Sequence, residues 1–309
     1  MTIQINSDGS VHFAHHLYTE PYNIGDNLCA PYHYFNFFVE SDTGLDGRCL
    51  VVGGGTIPNA DYLFDDLGYS ICILWAVGNS IPINSDRKTN PFRKLFRSIR
   101  KTTNIRRIMA RIKQRRRLFL STRDPSSVSQ NRELLPCVSC LHEVCDQPIG
   151  DRIGIVINED PAVSGDVKKI RNEITEKYPD ISFETNSLDV QRLLNFFSTH
   201  DRIITNSYHI AYWTLLSGKR LQFIGYSSKS EELLRLFSSG GSLRDTVLRG
   251  SADELLAALL NSISEPHWVK LDDASEKREC FRAMNREYAQ KLTKSLPGLR
   301  IDERKKPAH

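Results

Sequence analysis

The chain has 309 residues, of which 40% are hydrophobic and 25% charged, and its net charge is +4. This is the composition of a globular protein with one or two domains of roughly 100 to 200 residues each. No apolar run approaches the roughly 20 residues of a membrane-spanning helix, and the first residues lack the features of a signal peptide. Seven scattered cysteines do not indicate a disulfide framework, so we expect a cytoplasmic chain.

The first motif along the chain is NIGDNL at positions 23–28, a Gly-Asp pair after a strand-like segment. It precedes an apolar helix that we expect to start near Leu28. Asp26 can serve as the N-cap of that helix, or its carboxyl group can face a cleft between domains. Both interpretations of Asp26 are compatible with the sequence.

Two apolar strands follow, at residues 48–52 and 70–77. The first runs directly into Gly53, Gly54 and Gly55, and such glycines permit a ligand to approach the backbone closely. The triplet matches neither the dinucleotide fingerprint nor a Walker loop, so a tight turn without a ligand is the alternative.

The positive charge is concentrated in residues 87–117, which contain fourteen Lys or Arg and no Asp or Glu. Apolar residues recur there at i, i+3, i+4 and i+7, which predicts two short amphipathic helices. A basic face opposite an apolar face is typical of helices that lie on an anionic membrane surface. We expect a basic helical insertion with peripheral membrane contact. A solvated insertion is the alternative, and nucleic acid explains the apolar stripe less well.

A strand at residues 118–121 leads directly into Arg123 and Asp124. Asp124 or Ser126 can cap a helix that follows Pro125. A cation and a carboxylate are therefore predicted just beyond the end of a strand.

Cys137, Cys140 and Cys145, with His142 between them, come near a metal-ligand spacing. The segment is short, and no second paired-cysteine element follows it. We therefore predict buried thiols here rather than a zinc site.

A second series of strands and helices begins after residues 147–151, where the chain divides naturally into two αβ units. The pattern predicts a strand at 152–157, a helix at 167–177, a strand at 181–183 and a helix at 188–198. A long helix is predicted from Asp273 to Leu296, and we expect it to pack back across the first unit.

Residues 202–229 contain the most informative pattern, a complete β-α-β unit. Asn206 or Ser207 can cap its helix, and Gly218 can end it at the C′ position. The predicted elements are a strand over 203–205, a helix over 208–217 and a strand over 221–224.

His209 lies at the N-terminus of this helix, beyond the carboxyl end of a parallel strand. Open α/β sheets bind anions at such places, because unpaired backbone N–H groups and the helix dipole point outward there. A histidine adds a donor and a proton. The alternative is that His209 only caps its own helix.

Six motifs occur in order over most of the chain, and together they resemble the polysaccharide pyruvyl transferase family. They are NIGDNL, VVGGGTI, LWAVG, STRDPSS, ITNSYHIAYWTLLSGKRL and YSSK. The resemblance implies an α/β fold like that of the two-domain GT-B glycosyltransferases, in which two Rossmann-like domains face each other across a cleft. It implies an acceptor-side domain at 1–148 with the basic insertion 87–117, a donor-binding domain at 149–272, and a helix at 273–300 that packs back on the first domain.

The resemblance also implies an enzyme that moves pyruvate from phosphoenolpyruvate onto a sugar as a ketal. The acceptor would be a lipid-linked oligosaccharide or polysaccharide, the precursor of a surface polysaccharide or exopolysaccharide. Phosphoenolpyruvate is then a co-substrate, and no cofactor is expected. Such an enzyme works in the cytoplasm, with the basic insertion on the inner face of the membrane.

One position departs from the family pattern. Members with the best-understood donor site carry Arg two positions before the motif histidine, and this chain has Ser207 there. A direct contact to a carboxylate or phosphate is thereby lost. Arg123 of the RD-x-x-S motif and Lys229 of YSSK can supply the missing charge.

The implied chemistry assigns roles to particular residues. Asn206, Ser207 and His209 would hold the phosphate at the helix N-terminus. Arg123 and Lys229 would bind whichever anion remains. Because protein cations meet the phosphate charge, no metal is expected.

Ketal formation also needs a general acid and a general base. His209 would assist phosphate departure, and Asp26 would deprotonate an acceptor hydroxyl, with Asp124 as the alternative base. Residues expected on the acceptor side of the cleft are Gly25, Asn27, Gly53, Gly54 and Gly55.

Two other functions remain open at this point. A nucleotide-sugar glycosyltransferase of the same architecture would bind a diphosphate near His209 and a ribose at Glu231 or Glu232. A non-catalytic glycan-assembly protein would explain Ser207 without any donor chemistry.

Overall fold

The computed structural model describes residues 2–5, 11–15, 23–40, 49–53, 69, 71–78, 117–237, 247–248 and 252–305. The predicted basic insertion lies outside these residues except for Arg117, and so do Gly54 and Gly55. The described residues form a mixed α/β structure with eight α-helices and mainly parallel sheets. None of these helices is both long and apolar enough to span a membrane.

The first half of the described chain contains seven strands, one α-helix and several single 3₁₀ turns. The regular elements are β1 (Thr2–Ile5), β2 (Val11–His15), α1 (Ile24–Leu28), β3 (Phe35–Val39), β4 (Cys49–Gly53), β5 (Ile71–Trp75), β6 (Arg117–Thr122) and β7 (Glu133–Leu134). The 3₁₀ turns are Pro31–His33, Pro125–Ser127, Val138–Leu141 and Glu143–Asp146.

The second half alternates strands and helices. Its elements are β8 (Arg152–Ile157), α2 (Pro161–Ser164), α3 (Val167–Lys177), β9 (Ser182–Thr185), α4 (Val190–Thr199), β10 (His200–Thr205), α5 (Tyr208–Leu216), β11 (Arg220–Gly225), α6 (Ser228–Phe237), β12 (Val247–Leu248), α7 (Ala252–Ser264), α8 (Ala274–Ser295) and β13 (Leu299–Glu303).

The first sheet has six strands in the order β1-β2-β4-β5-β6-β7. β1 is antiparallel to β2, and the other neighbours are parallel. Every residue of β4 and β5 is buried. Their continuous apolar sequences follow from this, since a parallel sheet is covered on both faces.

The second sheet has five parallel strands in the order β9-β8-β10-β11-β12. Because β9 and β10 lie on opposite sides of β8, the direction of winding reverses between β8 and β10. Doubly wound sheets bind ligands at such a switch point, outside the carboxyl ends of the two strands. The loops after Ile157 and Thr205 meet at this place.

The structure confirms the predicted β-α-β unit. β10, α5 and β11 occur where the pattern places them, and Gly218 follows the helix with φ of +70°. All nine residues of α5 are buried. A helix without a polar face has to be covered on all sides, and Tyr212 of α5 stacks on Phe281 of α8.

The prediction of a helix starting near Leu28 is wrong, because α1 ends there. Ala30 precedes Pro31, and the residue before a proline disfavours helical backbone angles. The N-cap is Asn23 rather than Asp26, since Asn23 Oδ1 accepts hydrogen bonds from the N–H groups of Gly25 and Asp26. The interpretation of Asp26 as a helix cap is therefore also wrong.

The helix expected after Asp124 is only the 3₁₀ turn Pro125–Ser127. Asp124 stands at its N-cap position, but its side chain makes no capping hydrogen bond. The carboxylate is buried and lies next to Arg123 instead.

Helix α8 packs on the first sheet. Trp75 of β5 donates a hydrogen bond to Asn285 Oδ1 (2.8 Å), and the Tyr288 hydroxyl donates to the carbonyl of Leu74 (3.1 Å). The chain then continues into β13, which pairs antiparallel with β3. Neither β3 nor β13 was predicted from the sequence.

Candidate functional site

The imidazole of His209 occupies the first turn of α5, at the switch point of the second sheet. It is only 4% exposed. The rings of Tyr208 and Trp213 lie 5.2 and 5.8 Å from it, measured between centroids. The ring is therefore buried more deeply than the prediction of an outward-facing histidine implies.

Three polar side chains from other parts of the chain surround this imidazole. Arg123 Nη1 lies 3.3 Å and Cys137 Sγ 3.8 Å from Nε2, while Asp26 Oδ1 lies 3.9 Å from Nδ1. Both ring nitrogens thus face side chains beyond α5. This arrangement favours a role in the site over capping of its own helix.

Gly25 makes the approach of α1 to α5 possible. A Cβ atom at this position would lie 2.4 Å from His209 Nδ1. Any side chain would displace the imidazole, so the glycine is needed for packing against the site. The contact explains why position 25 has a glycine, and the expected place of Gly25 on the acceptor side stays a prediction.

Arg123 follows β6 directly and is 1% exposed. Its guanidinium lies 4.1 Å from the ring centroid of Tyr208, within the range of a cation–π interaction. Burial lowers the pKa of Arg123, but Tyr208, Cys137 and Asp124 raise it more, so the group stays charged. Its Nε has no hydrogen-bond partner among the described residues.

The end of β5 leaves room for this arginine. A Cβ atom at Gly78 would lie 2.6 Å from Arg123 Nε and 2.9 Å from Asp124 Oδ1. Nearby Ala76 has a φ of +54°, a left-handed conformation that an alanine rarely adopts. Strained backbone of this kind is concentrated at functional sites. From the sequence alone, Gly78 could be recognised only as the residue that follows a predicted strand and ends the LWAVG motif.

Lys229 lies in the first turn of α6 and interacts with the same groups. Burial and then the charge of Arg123 lower the pKa of Lys229 to about 8, while Asp26 and Asp124 raise it. The structure therefore brings together the two cations, Arg123 and Lys229, that the sequence suggested as replacements for the missing arginine at Ser207.

Asp26 is held in place by Asn23, whose Nδ2 donates to Asp26 Oδ2 at 3.0 Å. The other carboxylate oxygen is the one near His209. Asp26 is thus oriented toward the imidazole from the side opposite Cys137.

Both ends of the Asn206 amide make hydrogen bonds within the protein. Its Oδ1 accepts from the backbone N–H of Asn158 (2.7 Å), and its Nδ2 donates to Ser164 Oγ (3.1 Å). These bonds join the segments that follow β8 and β10. Asn206 therefore supports the switch point, and its expected role in donor binding stays a prediction.

Ser207 stands at the N-cap position of α5 but makes no side-chain capping bond. Its backbone N–H donates to Thr205 Oγ1 at 2.9 Å. The hydroxyl is buried at the end of β10. Its expected role as a phosphate ligand stays a prediction.

The remaining acceptor-side residues are less informative. A Cβ atom at Gly53 would lie 2.1 Å from Pro31 Cδ, so this glycine allows the chain to pack closely on Pro31. Asn27 is half-buried on α1 and donates its backbone N–H to Asn23. Gly54 and Gly55 lie outside the described residues.

Donor atoms of Asp26, Cys29 and His209 lie within 4.8 Å of one another, and such a set can hold a metal ion. The guanidinium of Arg123 lies 3.3 Å from the same imidazole, and its charge repels a cation. The charge of Arg123 therefore disfavours a metal ion at these three side chains. Cys137, Cys140 and Cys145 are buried free thiols, as predicted.

Sequence reasoning missed two cysteines of the site, Cys29 and Cys137. Cys29 comes directly after α1, and Cys137 comes directly before the 3₁₀ turn Val138–Leu141. Contacts between residues so distant in sequence leave no local pattern. The proximity of both to His209 could not be found without the fold.

Comparison of the chain with protein-family models, with curated proteins and with solved structures finds no match.

Proposed function

We propose that the protein is a pyruvyl transferase that moves pyruvate from phosphoenolpyruvate onto a sugar of a surface polysaccharide as a ketal. One observation carries the proposal: Arg123, Lys229 and His209, from three different elements, lie together beside the carboxylate of Asp26. The motifs that resemble the pyruvyl transferase family contain all four residues.

The charges of this cluster suit a small, multiply negative ligand. Lys229 is partly buried and faces a second cation, and both effects make its ammonium form less stable. A phosphate or carboxylate placed between Lys229 and Arg123 would relieve this repulsion and form charge-assisted hydrogen bonds. Phosphoenolpyruvate offers both groups on one small molecule.

The reaction requires proton transfer as well as binding. Protonation of the enol carbon makes the central carbon electrophilic, two sugar hydroxyls add to it, and phosphate leaves. His209 is placed to assist departure of the phosphate, and Asp26 to accept a proton from a hydroxyl. Their separation of 3.9 Å allows the two groups to act on neighbouring atoms of one ligand.

The position of the site supports a cleft between two Rossmann-like domains, as in GT-B enzymes. Arg123 comes from the carboxyl end of β6 in the first sheet, and His209 from beyond the carboxyl end of β10 in the second. In the proposed arrangement, the first sheet carries the acceptor side and the second sheet binds the donor. The basic segment 87–117 would place the enzyme against the cytoplasmic membrane surface, near a lipid-linked acceptor.

A nucleotide-sugar donor fits these contacts less well. Glu232 Oε2 accepts a hydrogen bond from the N–H of Ser126 (2.9 Å), and its other oxygen pairs with Arg235 (3.0 Å). Glu231 is exposed and lies 3.9 Å from Arg235. The two carboxylates proposed for binding a ribose are thus engaged with other groups.

Transfer can be tested with phosphoenolpyruvate labelled in its carbon atoms and a panel of lipid-linked oligosaccharides. We expect one labelled pyruvyl group to enter the lipid-linked fraction for each phosphate that is released. Label transfer only from nucleotide sugars would establish the glycosyltransferase instead. Binding of phosphoenolpyruvate without transfer to any acceptor would indicate a non-catalytic protein.

Binding of phosphoenolpyruvate can be followed by the fluorescence of Trp213. Trp213 lies 5.8 Å from His209, so its fluorescence should respond when an anion enters the site. A variant with Arg123→Gln should lose this response, and Arg220→Gln is a suitable control because Arg220 pairs with Asp201 at the other end of β10.

A further inference from the structure

Cys137 is a fully buried cysteine in direct contact with the imidazole of His209. Its Sγ lies 3.8 Å from Nε2, the nitrogen that Arg123 also approaches. Tyr212 donates a hydrogen bond to the carbonyl oxygen of Cys137 (3.0 Å), which fixes the backbone at this residue. The sulfur is therefore held against the ring from the side opposite Asp26.

Hydrogen-bond donors converge on this sulfur. Ser139 Oγ lies 3.3 Å from it and already accepts a hydrogen bond from Trp213 Nε1 (3.0 Å). The hydroxyl of Ser139 can therefore donate its hydrogen to Cys137 while it accepts from Trp213. The thiol of Cys29 has two acceptors for its single hydrogen, the Cys137 sulfur and the carbonyl of Asp26. Such surroundings suit a negatively charged sulfur.

Three other buried cysteines, Cys49, Cys140 and Cys145, have a raised pKa. Burial raises the pKa of Cys49 to about 12, and it also raises the pKa of Cys140 and Cys145. Burial likewise raises the pKa of Cys137, but hydrogen bonds with Cys29 and His209 and the charge of Arg123 lower it to well below that of an ordinary thiol. The titratable groups that interact with Cys137 are Cys29, Tyr34, Arg123, Cys140, Tyr208, His209 and Tyr212.

We propose that Cys137 is a positioning residue of the site, whose thiolate orients the His209 imidazole and stores the proton that this imidazole exchanges with the substrates. This inference rests on the proposed pyruvyl transfer. In that reaction one C–O bond to phosphate breaks, two C–O bonds to the sugar form, and no electrons are gained or lost. The two hydroxyl protons move to the methyl carbon and to the departing phosphate.

The proton balance explains why a third group is useful. His209 can take a proton from one hydroxyl before the phosphate is ready to receive it. The adjacent thiolate can hold that proton and return it through the same ring nitrogen. Asp26, on the other ring nitrogen, remains able to accept the second hydroxyl proton.

The ionisation of Cys137 can be measured without any activity. We expect the ultraviolet absorbance of one thiolate in the wild-type protein at neutral pH, where an ordinary thiol with a pKa of about 8.5 is mostly protonated. Cys137→Ser should remove this absorbance, while Cys49→Ser, at a buried thiol of the first sheet, should keep it. A wild-type protein without thiolate absorbance at neutral pH would overturn the proposal, whether or not the variant folds.

The role of the thiolate requires a kinetic readout. Cys137→Ser should lower kcat for pyruvyl transfer about 10- to 100-fold through misplacement of the imidazole, with little change in KM for phosphoenolpyruvate, and should shift the acidic limb of the pH profile. An unchanged kcat and pH profile would overturn the inference. If the wild-type protein shows the thiolate but transfers no pyruvate, both the proposed function and the proton storage are overturned. If the enzyme transfers pyruvate but shows no thiolate, only the role of Cys137 is overturned.

Discussion

The two ends of strand β10 carry similar residues in different surroundings. At its beginning, the ring of His200 stacks on Phe196 at 4.0 Å and hydrogen-bonds to the carbonyl of the same residue (2.7 Å). At its other end, His209 contacts an arginine, a carboxylate and a thiol from three separate segments. Both histidines are buried, but only the second has an arginine, a carboxylate and a thiol close to its ring nitrogens among the described residues.

The lysines near these two ends make the same contrast. Burial lowers the pKa of both Lys219 and Lys229 to about 8. Lys219 donates to the carbonyl of Pro148 and has Asp201 nearby to stabilise its charge. Lys229 also has carboxylates nearby, those of Asp26 and Asp124, but in addition it faces the cation Arg123, which lowers its pKa further. This second cation is the difference between the two lysines, and it favours an anion beside Lys229.

The largest effect should come from exchanging the two histidines separately for alanine. His209→Ala should lower pyruvyl transfer by roughly two to four orders of magnitude, since it removes a proton-transfer group. His200→Ala should leave turnover near that of wild type, although both variants lose a buried ring. Steady-state rates measure the turnover of both variants, and thermal unfolding shows whether they are folded. Equal loss of activity in the two variants would mean that His209 only supports the structure.

The lysines allow the same comparison for binding. Lys229→Ala should weaken binding of phosphoenolpyruvate about 10- to 100-fold, because a hydrogen bond to a charged group contributes about 1.5 to 3 kcal/mol. Lys219→Ala should bind as wild type does. Titration calorimetry gives both affinities. If Lys219→Ala were the weaker binder, the anion site would have to lie at the beginning of β10.

The elements near His209 could be predicted because their signals are local. The strand, helix and Gly218 of the β-α-β unit follow from a short apolar run, a capping position and a glycine with positive φ. The start of α1 could not, because Asn23 and Asp26 are both good N-caps and only the packed structure selects Asn23. Local sequence patterns therefore predicted the position of α5, which carries His209, more accurately than the position of α1, which packs against it.

The side chains around His209 were predicted only in part. Asp26, Arg123 and Lys229 were found through motifs, whereas Cys29 and Cys137 belong to the site through tertiary contacts alone. The hydrogen bonds of Asn206 were not predicted either, because a sequence does not show that a polar residue at a switch point holds two loops together. Pairing of β13 with β3 was missed for the same reason, since register between distant strands leaves no local signal.

A steric test sharpens the comparison by moving His209 without removing it. Gly25→Ala would place a Cβ atom 2.4 Å from Nδ1, although alanine is favoured over glycine within a helix by about 1 kcal/mol. We expect transfer activity to fall about 10- to 100-fold from a misplaced imidazole, and stability to fall as well, because the new Cβ would also lie 2.6 Å from His209 Cβ, which rotation of the ring cannot move. Gly218→Ala, strained at a φ of +70° but far from His209, should lose stability and keep its specific activity.

The smallest expected effect is a change of affinity with pH. Lys229 is charged below its pKa of about 8 and neutral above it, and an anion binds the charged form. Affinity for phosphoenolpyruvate should thus fall only about twofold between pH 7 and 8, since the phosphate is already ionised with its second pKa of about 6, and should fall by up to about tenfold per unit above pH 8. Lys229→Arg should abolish the decline, because a guanidinium stays charged over this range. Lys219→Arg changes a lysine of the same pKa at the other end of β10 and should leave the decline in place. A decline that follows Lys219 and not Lys229 would contradict the assignment of the anion site to the carboxyl end of the strand.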